Sequence, residues 1–144
     1  MKILFVCRGN VARSQMAEEL LNQIALGAFG VTSAGTKLSG PEQPIGELGP
    51  IMDNVLAVMN EEGIDMSKNV RNQVTPEMAD NADKIIMIID DLDPVPDYLV
   101  DNPKVIRWDV LDPKGQSLEF TRDVKNQIKN LVEKFAKEYE NNKI

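Results

Sequence analysis

The sequence predicts an α/β fold, a three-layer doubly wound arrangement with a four-stranded parallel sheet and helices on both faces. Two observations carry this reading. Short apolar runs alternate along the chain with segments whose apolar residues recur at helical spacing. The clearest run, "KIIMII" at 84 to 89, is apolar nearly throughout, as strands of a parallel sheet covered on both faces are. No repeat, low-complexity tract or composition shift marks a boundary, so residues 1–144 read as one domain.

The elements follow in order. "KILFV" at 2 to 6 is a β-branched and aromatic run, read as a buried strand. Met16, Ala17, Leu20, Leu21, Ile24 and Ala25 then fall at helical spacing, predicting a helix from about Ser14 to Leu26 that Gly27 and Gly30 punctuate. "FGVTSAG" at 29 to 35 is a second strand, and "GPEQPIGELGP" is a loop. A helix is predicted over Ile51 to Glu62, stopped by Gly63. Thr75 as N-cap and Pro76 at the first helical position start a short helix over 75 to 80. The third strand is 84 to 89, an acidic proline-rich loop follows, and "KVIRW" at 104 to 108 is the fourth strand. The last helix begins near Ser117 and aligns Val124, Ile128, Leu131, Phe135 and Tyr139 on one face. Right-handed crossovers place the loops after the strands along one sheet edge, where ligands of such folds bind.

Composition narrows the function. A net charge of −7 opposes a nucleic-acid partner, which a basic face would attract. The chain has one cysteine and no histidine, which excludes an internal disulfide framework, the commonest general base and a Cys/His metal cluster. No metal and no cofactor is called for, and acid–base chemistry must come from carboxylates. The start "MKILFVCR" lacks a signal-peptide core, and "IIMII" is too short to span a bilayer. A cytoplasmic protein without a membrane partner is expected.

The lone cysteine stands in "VCRGNVARS", residues 6 to 14, between the first strand and the first helix. A loop curling over a helix N-terminus points unpaired backbone N–H groups at one spot and forms an anion cradle. Gly9 permits backbone angles that other residues resist, and Asn10 tolerates a left-handed conformation. Arg13 supplies a planar fork for two oxygens of a phosphate or arsenate. Cys7 lies in the same positive field, which favours its thiolate, and Ser14 is placed to hydrogen-bond that thiolate or to cap the helix. Arg8, Gly9, Asn10, Val11, Ala12 and Ser14 are therefore candidate substrate-binding residues around Cys7 and Arg13.

"FVCRGNVARSQMAEELL" resembles the phosphate-binding loop of the low-molecular-weight protein tyrosine phosphatases and, equally, that of the related thioredoxin-coupled arsenate reductases. "TSAGT" at 32 to 36, "EEGIDMS" at 61 to 67, "QVTPEMADNADKIIMI" at 73 to 88 and the "DP" at 112 match in order and spacing. The resemblance implies a four-stranded parallel sheet with helices on both faces. It implies that Cys7 attacks phosphorus to form a phosphocysteine, that Arg13 binds the equatorial oxygens, and that Asn10, Ser14 and Ser33 hold the loop. It assigns to Asp112 the protonation of the leaving oxygen and the activation of water. A phenol has a pKa of about 10, so expelling it unprotonated is costly, and a carboxylic acid is the donor type at hand. Asp109 and Asp93, which also precedes a proline, are rivals ranked below Asp112.

The chain departs from the family pattern in places. Ala12 stands where many members carry a second cysteine, and "DDLDPVPDYLV" lacks the cysteine pair through which the thioredoxin-coupled reductases pass electrons. "KGQS" follows Asp112-Pro113 where the phosphatases have a tyrosine pair; Tyr98 or Trp108 could wall the pocket instead. Asn69 occupies the place of a histidine that supports the loop asparagine. Arg8 adds a charge where the family has an apolar or small residue, either lining the pocket rim for a more anionic substrate or simply solvated. Three functions stay open. The first is a phosphatase acting on a phosphorylated protein or a small phosphate ester. The second is a single-cysteine arsenate reductase using an external thiol, toward which "RSQMAE" leans. The third is a non-catalytic oxyanion-binding module.

Overall fold

The computed structural model describes residues 1–142 of the chain. Four strands form one parallel sheet: β1 (Lys2–Cys7), β2 (Gly30–Gly35), β3 (Lys84–Ile89) and β4 (Val105–Asp109). Their spatial order is β2-β1-β3-β4. The chain moves from β1 to one side for β2 and then to the other side for β3. Loops leaving β1 and β3 therefore part at their carboxyl ends, opening the crevice in which ligands of such sheets sit. Register puts Cys7 beside Gly35 at that edge.

Helices cover both faces. α1 (Arg13–Ala25), α2 (Asp53–Asn60) and α4 (Leu118–Asn142) pack on one face around Ile3, Phe5, Ile86 and Ile88. α3 (Pro76–Asn81) and a 3-10 turn at Asp97–Leu99 cover the other, against Leu4, Val6, Ile85 and Met87. Successive residues of β1 and β3 thus feed opposite cores, which is why both strands read as unbroken apolar runs. β4, at the sheet edge, is only part-buried, with Trp108 against Phe5 at a ring-centroid distance of 5.9 Å.

Caps set several boundaries. Thr75 accepts a hydrogen bond from the Met78 amide at 3.2 Å and Pro76 opens α3, as the sequence predicts. Ser117 Oγ accepts from the Phe120 amide at 3.0 Å just before α4. α1 ends at Ala25, one residue early, because Leu26 itself turns left-handed at φ 43°. The helix expected over 51 to 62 is shorter: a 3-10 turn at Pro50–Met52 precedes α2, and Gly63 at φ 78° ends the following turn. The loop between β2 and α2 also contains a 3-10 turn, Ile45–Leu48, whose Ile45 is buried. No helix of the described residues is long and apolar enough to cross a membrane.

Candidate active site

Cys7 is the last residue of β1 and is 2% exposed. The chain then wraps over the start of α1, where Ala12 offers no side-chain cap and the first helical N–H groups keep no side-chain acceptor. The left-handed residue in this loop is Asn10, at φ 53°. The conformational freedom expected at Gly9 is not used: its φ is not positive, and an added Cβ would meet only Val11 Cγ2 at 3.8 Å. The glycine that the loop requires is Gly35. A Cβ there would lie 2.6 Å from the Arg8 carbonyl oxygen and 3.0 Å from the Asn10 nitrogen, so nothing larger lets the loop rest on the end of β2.

A buried polar chain holds the loop from behind. Asn10 Nδ2 donates to Ser14 Oγ at 2.7 Å and to Ser33 Oγ at 3.0 Å. Ser33 in turn donates to Glu18 Oε1 at 2.6 Å, which fixes Ser33 as acceptor toward Asn10. Ser14 Oγ lies 3.0 Å from Cys7 Sγ. Once the thiol is ionised that bond must run from hydroxyl to sulfur, so Ser14 serves the sulfur rather than capping the helix. Asn10 Oδ1 accepts from the Asn72 amide at 2.8 Å and from Gln15 Nε2 at 3.2 Å. Asn69 does not reach Asn10 itself; it donates to Gln15 Oε1 at 3.3 Å and to Glu19 Oε1 at 3.0 Å, so its support is indirect. Burial raises the Glu18 carboxyl above the ordinary range, aided by Glu19, while the Ser33 hydroxyl opposes the shift.

Arg13 opens α1 with its side chain 2% exposed. Its Nη1 donates to Asp93 Oδ2 at 2.8 Å and to the Val110 carbonyl at 2.9 Å, tying it to the loops after β3 and β4. Nη2 lies 3.7 Å from Asp112 Oδ2, and among the described residues neither Nη2 nor Nε makes a hydrogen bond. Burial would lower the Arg13 pKa, but Cys7, Asp93 and Asp112 outweigh it and hold the guanidinium above its ordinary value.

Only part of this set lines the adjoining cavity of about 420 Å³. Cys7, Arg8, Gly9, Val11, Ala12, Arg13 and Asp112 all face it. Asn10, Ser14 and Ser33 stand behind the loop instead. Arg8 lines the wall and forms no ion pair among the described residues. Neither Tyr98 nor Trp108 reaches the cavity: Trp108 packs on Phe5, and Tyr98 on the core of the other sheet face. Of the rival acids, Asp93 is buried on Arg13, and Asp109 is 79% exposed and held by Arg107 at 2.7 Å. Lys37, Leu38, Ser39 and Lys114 complete the lining, a contribution sequence reasoning missed. All four follow strands β2 or β4, and the rule that ligands bind beyond the carboxyl ends of strands is the signal that points to them. Among the described residues, no group of three or more His, Cys, Asp or Glu is placed to hold a metal ion.

The arrangement offers a sulfur nucleophile under a guanidinium with unspent donors, facing a carboxyl group. Residues 2–143 match the model of a family described as low molecular weight phosphotyrosine protein phosphatase. A glutaredoxin arsenate reductase of Synechocystis sp. is 33% identical over 132 residues, 92% of this chain and 93% of that protein. Among solved structures, an arsenate reductase in the phosphate binding state is 33% identical, with a TM-score of 0.76 and 93% and 95% of the two chains covered. A YwlE arginine phosphatase mutant with a phosphorylated active-site serine is 26% identical, with a TM-score of 0.80 and 97% and 96% covered.

Proposed function

The chain belongs to the low molecular weight phosphotyrosine protein phosphatase family, and from that membership we propose that it hydrolyses phosphate monoesters, aryl phosphates and phosphotyrosine among them, through a phosphocysteine on Cys7. The observation that carries this reading is the convergence of Cys7, Arg13 and Asp112 on one cavity from three separate elements. The substrate phosphate rests on the backbone N–H groups of the loop, with Arg13 Nη2 and Nε on its oxygens. The Cys7 thiolate attacks phosphorus as the bond to the leaving oxygen breaks, and Asp112 gives that oxygen its proton. Asp112, now a carboxylate, takes a proton from water; the water oxygen attacks phosphorus, the P–S bond breaks, and inorganic phosphate and the thiolate are released.

Phosphate release from phenyl phosphate tests this reading. Turnover is expected to follow a bell-shaped pH profile, one limb requiring the thiolate and the other the protonated carboxyl group. Cys7→Ser is expected to abolish release, and retained turnover in that variant overturns the mechanism. The cations Arg8, Lys37 and Lys114 around the cavity favour a leaving group without positive charge, which weighs against phosphoarginine.

A second reading has a specific support. The relative and the solved structure at 33% identity are both named arsenate reductases. With Cys7 the only thiol in the chain, arsenate bound to its sulfur requires an external thiol to complete a reduction. Arsenite formation that depends strictly on an added small thiol, without phenyl phosphate turnover, selects this reading over the first.

A further inference from the structure

A second cavity of about 310 Å³ adjoins the first, the two sharing Val11, Ala12, Ser39 and Lys114. Ala12 contributes only a methyl group at the junction. Beyond it Leu48, Ile51, Met52 and Val55 form an apolar wall, and Arg71 joins the lining. Among the described residues, no carboxylate lines this cavity.

Arg71 is the unusual member. It is 4% exposed, yet it forms no ion pair among the described residues. A buried charge without a counter-charge is costly, and a carboxylate is its ordinary partner. The chain carries 23 acidic residues against 16 basic ones, and still no described carboxylate pairs with this guanidinium. Its Nε donates to the Pro41 carbonyl at 2.8 Å and its Nη1 to Ser39 Oγ at 3.1 Å, so it is held firmly against the 39–41 turn. Nη2 makes no hydrogen bond among the described residues and occupies the space left by Gly40, 2.7 Å from where a Cβ would stand. The side chain is thus fixed in place with donor capacity and charge unspent, beside an apolar cleft that opens onto the Cys7 cavity.

We propose that this cleft is a second anion subsite, taking a carboxylate or phosphate carried on an apolar stem in the same molecule whose phosphate sits on the Cys7 loop. The stem lies along Leu48, Ile51, Met52 and Val55. Arg71 receives the anionic end, and Lys114 at the shared edge adds attraction. The inference rests on the phosphatase reading for the occupant of the first cavity. The preferred substrate is then a phosphate monoester with a second negative group at a distance, rather than a bare aryl phosphate.

Affinities of non-hydrolysable phosphonates, measured by calorimetry, test this without relying on turnover. Benzylphosphonates carrying alkyl arms of increasing length are compared, the arm ending in a carboxylate, in a phosphonate, or in a methyl group. At one arm length a charged end is expected to bind about tenfold more tightly than the methyl end. That ratio should fall to near one in Arg71→Met and near or below one in Ile51→Glu, which sets a carboxylate in the cleft. Because the ratio is taken within each variant, a general loss of folding does not imitate the result. A gain for only one of the two charged ends supports the subsite and tells carboxylate from phosphate as its ligand. Equal affinities for charged and methyl ends at every length overturn the proposal, as does a ratio that survives in both variants. If the charged-end gain is present but phenyl phosphate is not hydrolysed, the subsite stands and the hydrolytic reading falls.

Discussion

Two loops of this molecule carry the same dipeptide to the same arginine and use it differently. Asp93-Pro94 follows β3, and Asp112-Pro113 follows β4. The Asp93 side chain is 3% exposed, sits 2.8 Å from Arg13 Nη1, and also accepts the Asp90 amide at 2.9 Å. The Asp112 side chain is 35% exposed and lies 3.7 Å from Nη2. Its other oxygen accepts the Lys114 amide at 3.0 Å, which holds the carboxylate at the cavity wall. Asp93 is therefore an anchor, its Oδ2 taking both the Arg13 guanidinium and the Asp90 amide within the protein. Asp112 is open to solvent and loosely paired, as a group that must exchange a proton with substrate and water has to be. A buried ion pair positions; a half-exposed carboxyl group can react.

The largest effect should come from removing the carboxyl group proposed as the acid. Asp112→Asn is expected to lower kcat on phenyl phosphate by about 10²- to 10³-fold. The loss should shrink as the leaving phenol becomes more acidic, since a good leaving group needs no proton. Thermal unfolding should change little, because the loose contact at 3.7 Å contributes little to the fold. Steady-state kinetics across a series of substituted phenyl phosphates provide the check. If Asp109→Asn or Asp93→Asn shows the leaving-group dependence instead, the comparison is reversed and the acid is misassigned.

Asp93→Asn should act through Arg13 and through stability together. Asn keeps an acceptor near Nη1 but removes the closest charge, leaving a buried guanidinium with only Cys7 and the more distant Asp112 as counter-charges. A loss of roughly 2 kcal/mol in unfolding free energy is expected, read by denaturant titration. The kcat on phenyl phosphate should fall roughly tenfold through misplacement of the guanidinium, without a steeper dependence on the leaving group. A variant as stable as the parent and fully active would show that Asp93 does not anchor Arg13.

This contrast also marks how far the sequence could be read. The alternation of apolar runs and helical periodicities identifies all four strands and the order of the main helices, because strands buried on both faces leave a composition signal that survives without tertiary information. The geometry of the loop at 7–14 is equally legible, since its cysteine, its left-handed residue and its guanidinium are close in sequence. Asp93 and Asp112 are not separable that way. Both precede proline and both follow a strand, and only the approach of the two loops to Arg13 decides which carboxylate turns inward. The same holds for Gly35, whose need for no side chain arises from the Arg8 carbonyl of another segment. Asn69 acts through Gln15 for the same reason: the link spans two segments, and neither residue announces it. Arg71 carries no sequence signal at all, because its oddity is the absence of a partner in space.

A third carboxylate, behind the loop, sharpens the distinction between anchor and acid. Glu18 accepts the Ser33 hydroxyl at 2.6 Å and sits at the end of the chain that runs through Asn10 and Ser14 to Cys7. Burial raises its pKa, with Glu19 adding to the shift and Ser33 opposing it. A carboxyl group raised in the folded state binds its proton more tightly there than in the unfolded chain. Its contribution to stability is fully present below the ordinary carboxylate range and is lost as pH rises through the folded value. Glu18→Gln keeps a carbonyl for Ser33 and removes the titration. The Tm of the variant minus that of the parent should therefore grow in the variant's favour between about pH 4 and pH 7. A difference that stays flat over this range, in thermal scans at matched ionic strength, would mean that Glu18 holds the loop without any cost for its charge. It would then belong with Asp93 as an anchor.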